Sequence, residues 1–320
     1  MIKVQNDITT DKKDPLGSVL QDKQVHEYLR DMGINLAEHC HPDYVFTTAN
    51  GLKEPKENSI AFERIDGCQV KNKHLLKDKN IKKLVKMYKY HGTGVNNLSC
   101  VDGRIFTRLL APIEDCKAQR TMMSEKDLSK VALGVNFLHY KRHDQCEQKA
   151  IYLEKKTTKD IFFAGSTSSY GKNNHHSGGL IKDHRIGCVN AINKLDCDKL
   201  VNANKAYRGG VYLDHIASAK ITVSPWGWGE SCYRDYEALM LRTDVIKPRS
   251  YKMESLPEIY NGTVFYCNPD WSNLEEVVDK CLSTWDKRAD LRERIAVDLI
   301  EWRQPEAIAR ILSEIVKEAV

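Results

Sequence analysis

The chain has 320 residues, of which 41% are hydrophobic and 29% are charged. This length exceeds one typical domain and suits two, and the composition excludes a disordered chain. The formal net charge of +5 is a mild basic excess. No apolar run approaches the length of a membrane span, and the first residues lack an apolar signal region.

The ten cysteines are scattered and contain no Cys-x-x-Cys pair, which argues against a zinc site and a redox motif. Lysines cluster between Lys71 and Lys89, close to Tyr88 and Tyr90. Such a stretch could contact nucleic acid or an anionic membrane, although a solvated face is the more common explanation. Composition therefore favours a globular protein with reduced thiols.

The N-terminal half alternates between strand and helix patterns, which predicts a parallel sheet with right-handed crossovers. A loop is predicted at 14–18, and Gly33 ends the first helix. No element is legible over 91–125. We take residues 1–145 as an N-terminal domain. The predicted elements are strand 1–4, helix 22–32, strands 43–47 and 59–63, a helical turn near 71–80, and a strand near 83–88.

The largely polar segment 141–159 has the composition of a connection between domains, and a second alternating run follows it. Asp196-Cys197-Asp198 follows a helix rather than an apolar strand, so we interpret this D-x-D sequence as a turn. Pro305 suits a helix start. The predicted elements are strand 160–165, helix 183–192, strand 199–201, helix 210–218, strand 221–223, helix 231–241, strands 244–246 and 264–267, and helices 274–285, 287–302 and 305–320.

Residues 219–249 are the most informative segment and read as strand, glycine loop, helix and strand. Pro225, Gly227 and Gly229 end the first strand and allow a ligand to approach the backbone closely. Ser231 is a candidate cap for the helix. The N-terminus of that helix is expected to face the end of the sheet, where α/β folds bind ligands.

Polar side chains are concentrated on this helix. Glu230, Arg234 and Glu237 are spaced i, i+4, i+7 and share one face if the helix begins by Glu230. An arginine in the first turn suits a diphosphate, and a carboxylate one turn further suits two ribose hydroxyls. The alternative is an exposed ladder of ion pairs. The Gly-Trp-Gly loop before the helix and the Ile-x-Pro strand after it favour the ligand site.

This segment resembles the nucleotide-sugar-binding motif of GT-B glycosyltransferases, in particular exostosin-like and bacterial or viral surface-polysaccharide groups with the pattern SPxGxGExxxRxxEA…G…I-x-P. Glu230 and Glu237 are seven positions apart, whereas retaining members of the family usually have eight, so retaining stereochemistry is not carried over. Arg242-Thr243 replaces the usual small residue. The matching residues are Ser224, Pro225, Gly227, Gly229, Glu230, Arg234, Glu237, Ala238, Ile246 and Pro248.

The resemblance implies an α/β GT-B fold, with two Rossmann-like domains whose parallel sheets face a central cleft. Residues 1–145 would form the acceptor domain and 146–302 the nucleotide-sugar-binding domain, while 303–320 would be a helix that crosses back to the N-terminal domain. The implied reaction moves a sugar from a UDP- or GDP-linked donor to a hydroxyl of a glycan, glycolipid or glycoprotein. We expect no required cofactor or metal.

We further expect a cytoplasmic location, which would be the host cytoplasm for a viral chain, with peripheral membrane contact as an option. The donor site has alternatives at several positions: Gly165-Ser166-Thr167 could be an ordinary βα loop, Arg185 a surface charge, Tyr212 a packing residue, and Trp226 or Trp228 a plug rather than a stacking surface. The expected donor-binding residues are Gly165, Ser166, Thr167, Arg185, Tyr212, Ser224, Pro225, Trp226, Gly227, Trp228, Gly229, Glu230, Arg234 and Glu237.

An inverting enzyme of this fold needs a general base for the acceptor hydroxyl. By resemblance the base comes from the N-terminal domain. Asp14 is the first choice because Pro15 and Gly17 would hold its loop, and Glu63 at a strand end is the second. Arg234 would act in catalysis by neutralising the leaving diphosphate.

Two other functions fit parts of this pattern. A non-catalytic nucleotide- or glycan-binding protein on a degenerate GT-B scaffold would bind the nucleotide without turnover. A nucleic-acid-binding protein could use the stretch from Lys71 to Lys89. The sequence contains no base-reading motif, so no nucleic-acid partner is expected.

Overall fold

The chain forms two α/β domains, each built on a parallel sheet. The computed structural model describes residues 1–8, 20–36, 41–49, 52–63, 73–86, 88–90, 124–134, 144–167, 176–203, 207, 210–226, 231–249, 253–255, 257–260 and 263–320.

The N-terminal sheet has the strand order β2-β1-β3-β4-β5-β7, and all its strand pairs are parallel. The predicted helical turn near 71–80 is a 3₁₀ helix at Lys73–Lys77. The predicted strands are confirmed to within a few residues at each end. The elements are β1 (Ile2–Asn6), α1 (Lys23–Asp31), β2 (Ile34–Leu36), β3 (Tyr44–Thr48), β4 (Ser59–Glu63), β5 (Ile81–Lys86), β6 (Tyr88–Tyr90), α2 (Glu125–Leu128) and β7 (Val131–Leu133).

Helix α1 shows how local sequence sets an element. Asp22 caps the helix and accepts a hydrogen bond from the Gln24 N–H at 2.9 Å. The helix buries Val25 and Leu29, which are four residues apart and so share one face. Gly33 follows with a φ of 86°, a conformation that only glycine adopts without strain.

The C-terminal sheet has the order β13-β11-β10-β8-β9, and it too is parallel throughout. A 3₁₀ helix at Asp286–Arg288 precedes the penultimate helix. The elements are α3 (Asp144–Ile151), β8 (Lys159–Gly165), α4 (His176–Lys194), β9 (Lys199–Ala203), α5 (Gly210–Ala217), β10 (Ala219–Val223), α6 (Tyr233–Met240), β11 (Asp244–Pro248), β12 (Met253–Ser255), β13 (Val264–Cys267), α7 (Leu274–Ser283), α8 (Ala289–Glu301) and α9 (Pro305–Lys317).

Helix α3 was not expected, because the polar segment 141–159 had the composition of a connection. The helix buries only two small side chains, Cys146 and Ala150, so its apolar signal is weak. Both residues join the core on one face of the C-terminal sheet. Helix α4 is also longer than predicted and begins at His176.

The last helix crosses back to the N-terminal domain. Pro305 occupies its first turn, as expected. Ile311, Leu312 and Ile315 join the core that contains Val4 and Leu29. The crossing is anchored by Arg303, which donates to the carboxylates of two residues of α3, Glu147 at 2.8 Å and Asp144 at 2.9 Å.

A two-stranded antiparallel ribbon connects the two domains. Strand β6 follows the carboxyl end of β5, and β12 follows the carboxyl end of β11. The two short strands pair, with Tyr90 opposite Met253 and Tyr88 opposite Ser255. The ribbon therefore brings the carboxyl ends of β5 and β11 towards each other. In the parts of the chain that the structure describes, no helix combines the length and apolarity that crossing a bilayer requires.

Candidate functional site

Several of the predicted donor-binding residues lie at the carboxyl ends of two neighbouring strands of the C-terminal sheet. The chain passes from β8 to β9 on one side and later to β10 on the other side. This reversal of strand order leaves a crevice at the carboxyl ends of β8 and β10, where open α/β sheets bind ligands. Gly165 ends β8 and is followed by Ser166 and Thr167, while Ser224 and Pro225 follow β10.

Arg234, the second residue of α6, bridges the two strand ends. Its Nη1 donates to the carbonyl of Val223 at 3.3 Å, and its Nη2 donates to the carbonyl of Ala164. The guanidinium carbon lies 5.3 Å from the centre of the Phe163 ring. The side chain is partly exposed, and its buried Nε has no hydrogen-bond partner among the described residues. A cation is thus fixed at the crevice.

The surroundings of Arg234 keep it charged. Burial would lower the pKa of Arg234, but the hydrogen-bonded Tyr212 hydroxyl, with Cys232 and Asp235 nearby, outweighs burial and raises the pKa above its usual value. Tyr212 lies on α5 and was predicted to bind the donor or to pack. The structure places it against the arginine.

Gly165 makes room for this arginine. A Cβ at this position would lie 3.1 Å from Nη2 of Arg234 and 3.3 Å from the ring of Phe163. Both distances are shorter than ordinary van der Waals contacts between heavy atoms. A side chain at residue 165 would therefore displace the guanidinium from the strand end.

Arg185 ties together the two loops beside the crevice. This buried arginine donates from Nε to the carbonyl of Trp226 at 3.1 Å and from Nη1 to the carbonyl of Ser166 at 3.2 Å. It is not a surface charge. Thr167, the third residue of the predicted phosphate loop, is also buried.

The Trp226 indole packs inside the C-terminal domain. It has no exposed surface, and its ring stacks on His184 at a centroid distance of 4.9 Å and an interplanar angle of 16°. The Trp271 ring also lies 4.9 Å from the His184 ring, and its indole N–H donates to the His184 carbonyl at 3.0 Å. Burial, assisted by the charge of Arg185, lowers the pKa of His184 to about 3, so this imidazole is neutral.

The helix that carries Arg234 begins later than predicted. Its first residue is Tyr233, so the shared helical face contains Arg234 and Glu237 but does not extend to Glu230. The cap is Cys232 rather than Ser231. Glu237 is almost fully buried, at 3% exposure. The remaining predicted donor residues, Gly227, Trp228, Gly229 and Glu230, lie outside the described residues.

A buried network around Asp235 was not predicted. Its Oδ1 accepts from the Ser224 hydroxyl at 2.6 Å. Its Oδ2 accepts from the Cys232 N–H and from the Tyr260 hydroxyl, each at 3.0 Å, and forms an ion pair with Lys247 Nζ at 2.8 Å. The sequence contains one signal that could have revealed Asp235. This acidic residue lies three positions after the helix cap Cys232, which is the spacing of a capping box.

On the N-terminal side, Glu63 ends β4 beside Lys86, which ends β5. Lys86 Nζ lies 2.7 Å from a Glu63 carboxylate oxygen, and neither side chain has exposed surface. The charges of these two buried side chains thus balance each other. Asp14 lies outside the described residues.

A third carboxylate, Asp7, directly follows β1. The N-terminal sheet also reverses its strand order, because β1 lies between β2 and β3. Asp7 is 25% exposed, accepts from Gln5 Nε2 at 2.6 Å and pairs with Lys56. The sequence pattern did not single it out because the first strand was predicted to end two residues too early.

Among the described residues, no group of three or more His, Cys, Asp or Glu side chains is arranged so that it could hold a metal ion. Asp196 and Asp198 lie in the short connection between α4 and β9, as the turn interpretation predicted.

Fold and site together define a two-domain α/β protein with a fixed cation at the switch point of its second parallel sheet. No protein-family model matches the sequence, and no curated protein is similar to it. A glycosyltransferase from Rickettsia africae ESF-5 shares 14% identity at a TM-score of 0.46, over 99% of this chain and 98% of that one.

Two further solved structures are similar over their whole length. AviGT4, a glycosyltransferase involved in Avilamycin A biosynthesis, shares 12% identity at a TM-score of 0.46, over 100% of this chain and 97% of that one. The UDP-GlcNAc 2-epimerase from Neisseria meningitidis bound to UDP-GlcNAc shares 11% identity at a TM-score of 0.37, over 99% of this chain and 100% of that one. Similarities at this level do not show an activity.

Proposed function

We propose that the protein is a GT-B glycosyltransferase, which moves a sugar from a nucleotide diphosphate sugar to a hydroxyl of a glycan, glycolipid or glycoprotein. The observation that carries this proposal is Arg234, a partly exposed cation held at the carboxyl ends of β8 and β10. A fixed guanidinium beside a helix N-terminus at a switch point suits a diphosphate.

In this proposal the reaction breaks the bond between the anomeric carbon and a diphosphate oxygen. The electron pair leaves with the diphosphate, where Arg234 and the N-terminus of α6 would neutralise the charge. Since the protein supplies these positive groups itself, the scheme requires no metal. The acceptor hydroxyl oxygen forms the new bond to the anomeric carbon, and its proton passes to the general base.

Glu237 is the proposed ligand of the ribose hydroxyls of a UDP- or GDP-linked donor. It lies three residues after Arg234 on α6, so the two side chains share a face. We expect Glu237→Ala to weaken nucleotide binding about tenfold while turnover at saturating donor is retained. Calorimetry with UDP and GDP measures the first effect, and unchanged affinity would refute the ribose assignment.

Three carboxylates of the N-terminal domain are candidates for the general base. Asp14 and Glu63 follow from the sequence, and Asp7 follows from the observed end of β1. Both Asp7 and Glu63 pair with a lysine, but the exposure of Asp7 favours it, because the Glu63 side chain has no exposed surface. A base must reach the hydroxyl that it deprotonates.

A binding protein on the same scaffold is the alternative function, and one experiment separates the two. The purified chain is screened by thermal shift against UDP, GDP, CMP, dTDP and their sugar conjugates, because a ligand raises the midpoint by mass action. The proposal predicts a shift with one diphosphate and its conjugate, followed by diphosphate release when acceptor glycans are added. Binding without release would favour the non-catalytic alternative, and no shift would refute the donor site.

A further inference from the structure

One carboxylate joins the end of β10 to the beginning of α6. Asp235 Oδ1 accepts from the hydroxyl of Ser224, the first residue after β10, at 2.6 Å. Its Oδ2 accepts from the N–H of Cys232, which caps α6, at 3.0 Å. We call Asp235, Ser224, Cys232, Tyr260 and Lys247 the Asp235 network.

Further hydrogen bonds reinforce this junction. The Cys232 thiol donates to the carbonyl of Pro225 at 3.3 Å. The hydroxyls of Ser231 and Tyr260 are hydrogen-bonded to each other, and Tyr260 also donates to Asp235 at 3.0 Å. The residues that precede and follow the segment 227–230 are thereby connected to a single carboxylate, that of Asp235.

The charge of Asp235 is balanced by Lys247 on β11, at 2.8 Å, and neither side chain has exposed surface. Burial would lower the pKa of Lys247, but the adjacent Asp235 carboxylate outweighs burial and raises it, so the lysine is charged. A buried ion pair adds little net stability. It holds its two side chains in one geometry when each of them also has its hydrogen-bond partners.

The network acts on the residue beside Asp235 in the chain. Arg234 donates to the carbonyl of Val223, while Asp235 accepts from Ser224. Two successive side chains of α6 therefore hold two successive residues at the end of β10. The orientation of the first helical turn, and with it the position of the Arg234 guanidinium, depends on both contacts.

We propose that Asp235 is a positioning residue, which holds the first turn of α6 against β10 so that Arg234 and the helix N–H groups are preorganised for the donor diphosphate. This inference rests on the proposed function. It also changes the role of Ser224, which was predicted to contact the donor, because its hydroxyl is the link between β10 and Asp235.

The first test needs no ligand and compares Ser224→Ala with Thr222→Val. Thr222 is a matched control, because it lies on the same strand and its buried hydroxyl donates to the Phe162 carbonyl at 3.0 Å, outside the network. Each variant loses one buried hydrogen bond, and the loss is somewhat larger in Ser224→Ala because its acceptor is a carboxylate. We expect the amides of residues 231–236 to exchange with solvent deuterium at least about tenfold faster only in Ser224→Ala. Equal exchange in the two variants would overturn the proposal.

The second test measures UDP and GDP affinity of the same variants by calorimetry. Ser224→Ala is expected to bind about tenfold more weakly, Thr222→Val within about twofold of the parent, and Ser224→Thr close to the parent because it keeps the hydroxyl. A parent that binds neither nucleotide refutes the proposed function, and the exchange measurement still decides the role of Asp235. A parent that binds while Ser224→Ala binds equally well refutes the positioning role alone.

Discussion

At the scale of single residues, the site depends on where one guanidinium is held. Arg234 takes its position from the carbonyls of Ala164 and Val223, from Tyr212, and from the absence of a side chain at Gly165. Its position is therefore set by neighbours on three other elements, and substitutions of the arginine and of the glycine test different parts of this arrangement.

Removal of the guanidinium should abolish most turnover. We expect Arg234→Ala to lower kcat by about 10²- to 10³-fold, because the leaving diphosphate loses its fixed cation. Arg234→Lys should recover little of the turnover, because a lysine ammonium is a compact point charge and does not span the carbonyls of Ala164 and Val223. Sugar transfer is assayed on variants whose circular dichroism matches the parent. Near-normal turnover in folded Arg234→Ala would refute this role.

Addition of one methyl group at Gly165 should displace the arginine without unfolding the chain. We expect Gly165→Ala to weaken diphosphate binding by about tenfold, since the new Cβ would lie 3.1 Å from Nη2 of Arg234. Gly210→Ala is the matched control, because a Cβ there would meet nothing within 4 Å. Calorimetry distinguishes the two variants, and equal affinities would contradict the close contact.

At the scale of elements, the packing of neighbouring strands and helices brings charged residues together near the carboxyl ends of strands in both sheets. Glu63 and Lys86 are register partners at the ends of β4 and β5, and Lys247 of β11 meets Asp235 of α6. The two members of each pair lie on different elements, so neither pair is contained in one local stretch of sequence. Only the pairing of strands and the docking of α6 show that the charges balance.

The ion pair between Glu63 on β4 and Lys86 on β5 is explained by the stability of the fold, and the following comparison separates this role from a role in catalysis. Glu63→Gln should lower the free energy of unfolding by about 3–5 kcal/mol, because the buried Lys86 ammonium loses the carboxylate charge that lies 2.7 Å away. The double variant Glu63→Leu, Lys86→Met should recover most of this loss, because it replaces the buried ion pair with apolar side chains of similar size. Denaturant unfolding measures both values. If the double variant is stable but inactive, Glu63 has a role in catalysis as well.

At the scale of the whole molecule, the last helix connects the C-terminal end of the chain to the N-terminal core. Helix α9 buries Ile311, Leu312 and Ile315 there, after Arg303 is anchored on α3. Together with the β6–β12 ribbon, this gives two connections between the domains in addition to the chain that links them. Loss of packing at residue 312 should therefore destabilise the N-terminal domain.

Leu312→Ala should cost about 2–5 kcal/mol, the range for a leucine that leaves a cavity in a core. Glu314→Ala is the control on the same helix, because Glu314 is exposed and its loss should change stability by less than about 0.5 kcal/mol. Hydrogen exchange of β1 and β3 shows which domain is affected. Unchanged exchange there would contradict the crossing.

The sequence by itself determined the order and type of most elements, since strands and helices with strong periodicity need only local information. It also located the segment around Arg234, because glycines, proline and charges follow each other at short spacing. The short, polar helix α3 was missed, because it buries only Cys146 and Ala150.

Tertiary structure decided how the side chains are used. The sequence did not decide whether Trp226 and Arg185 contact a ligand or have another role. Both side chains are directed into the domain, because β8, β10 and α4 meet there. The lysines that pair with Asp235 and Glu63 lie on other strands, so no local pattern contains these ion pairs. Periodicity specifies which face of an element is buried, whereas the neutralisation of buried charges depends on which elements become neighbours.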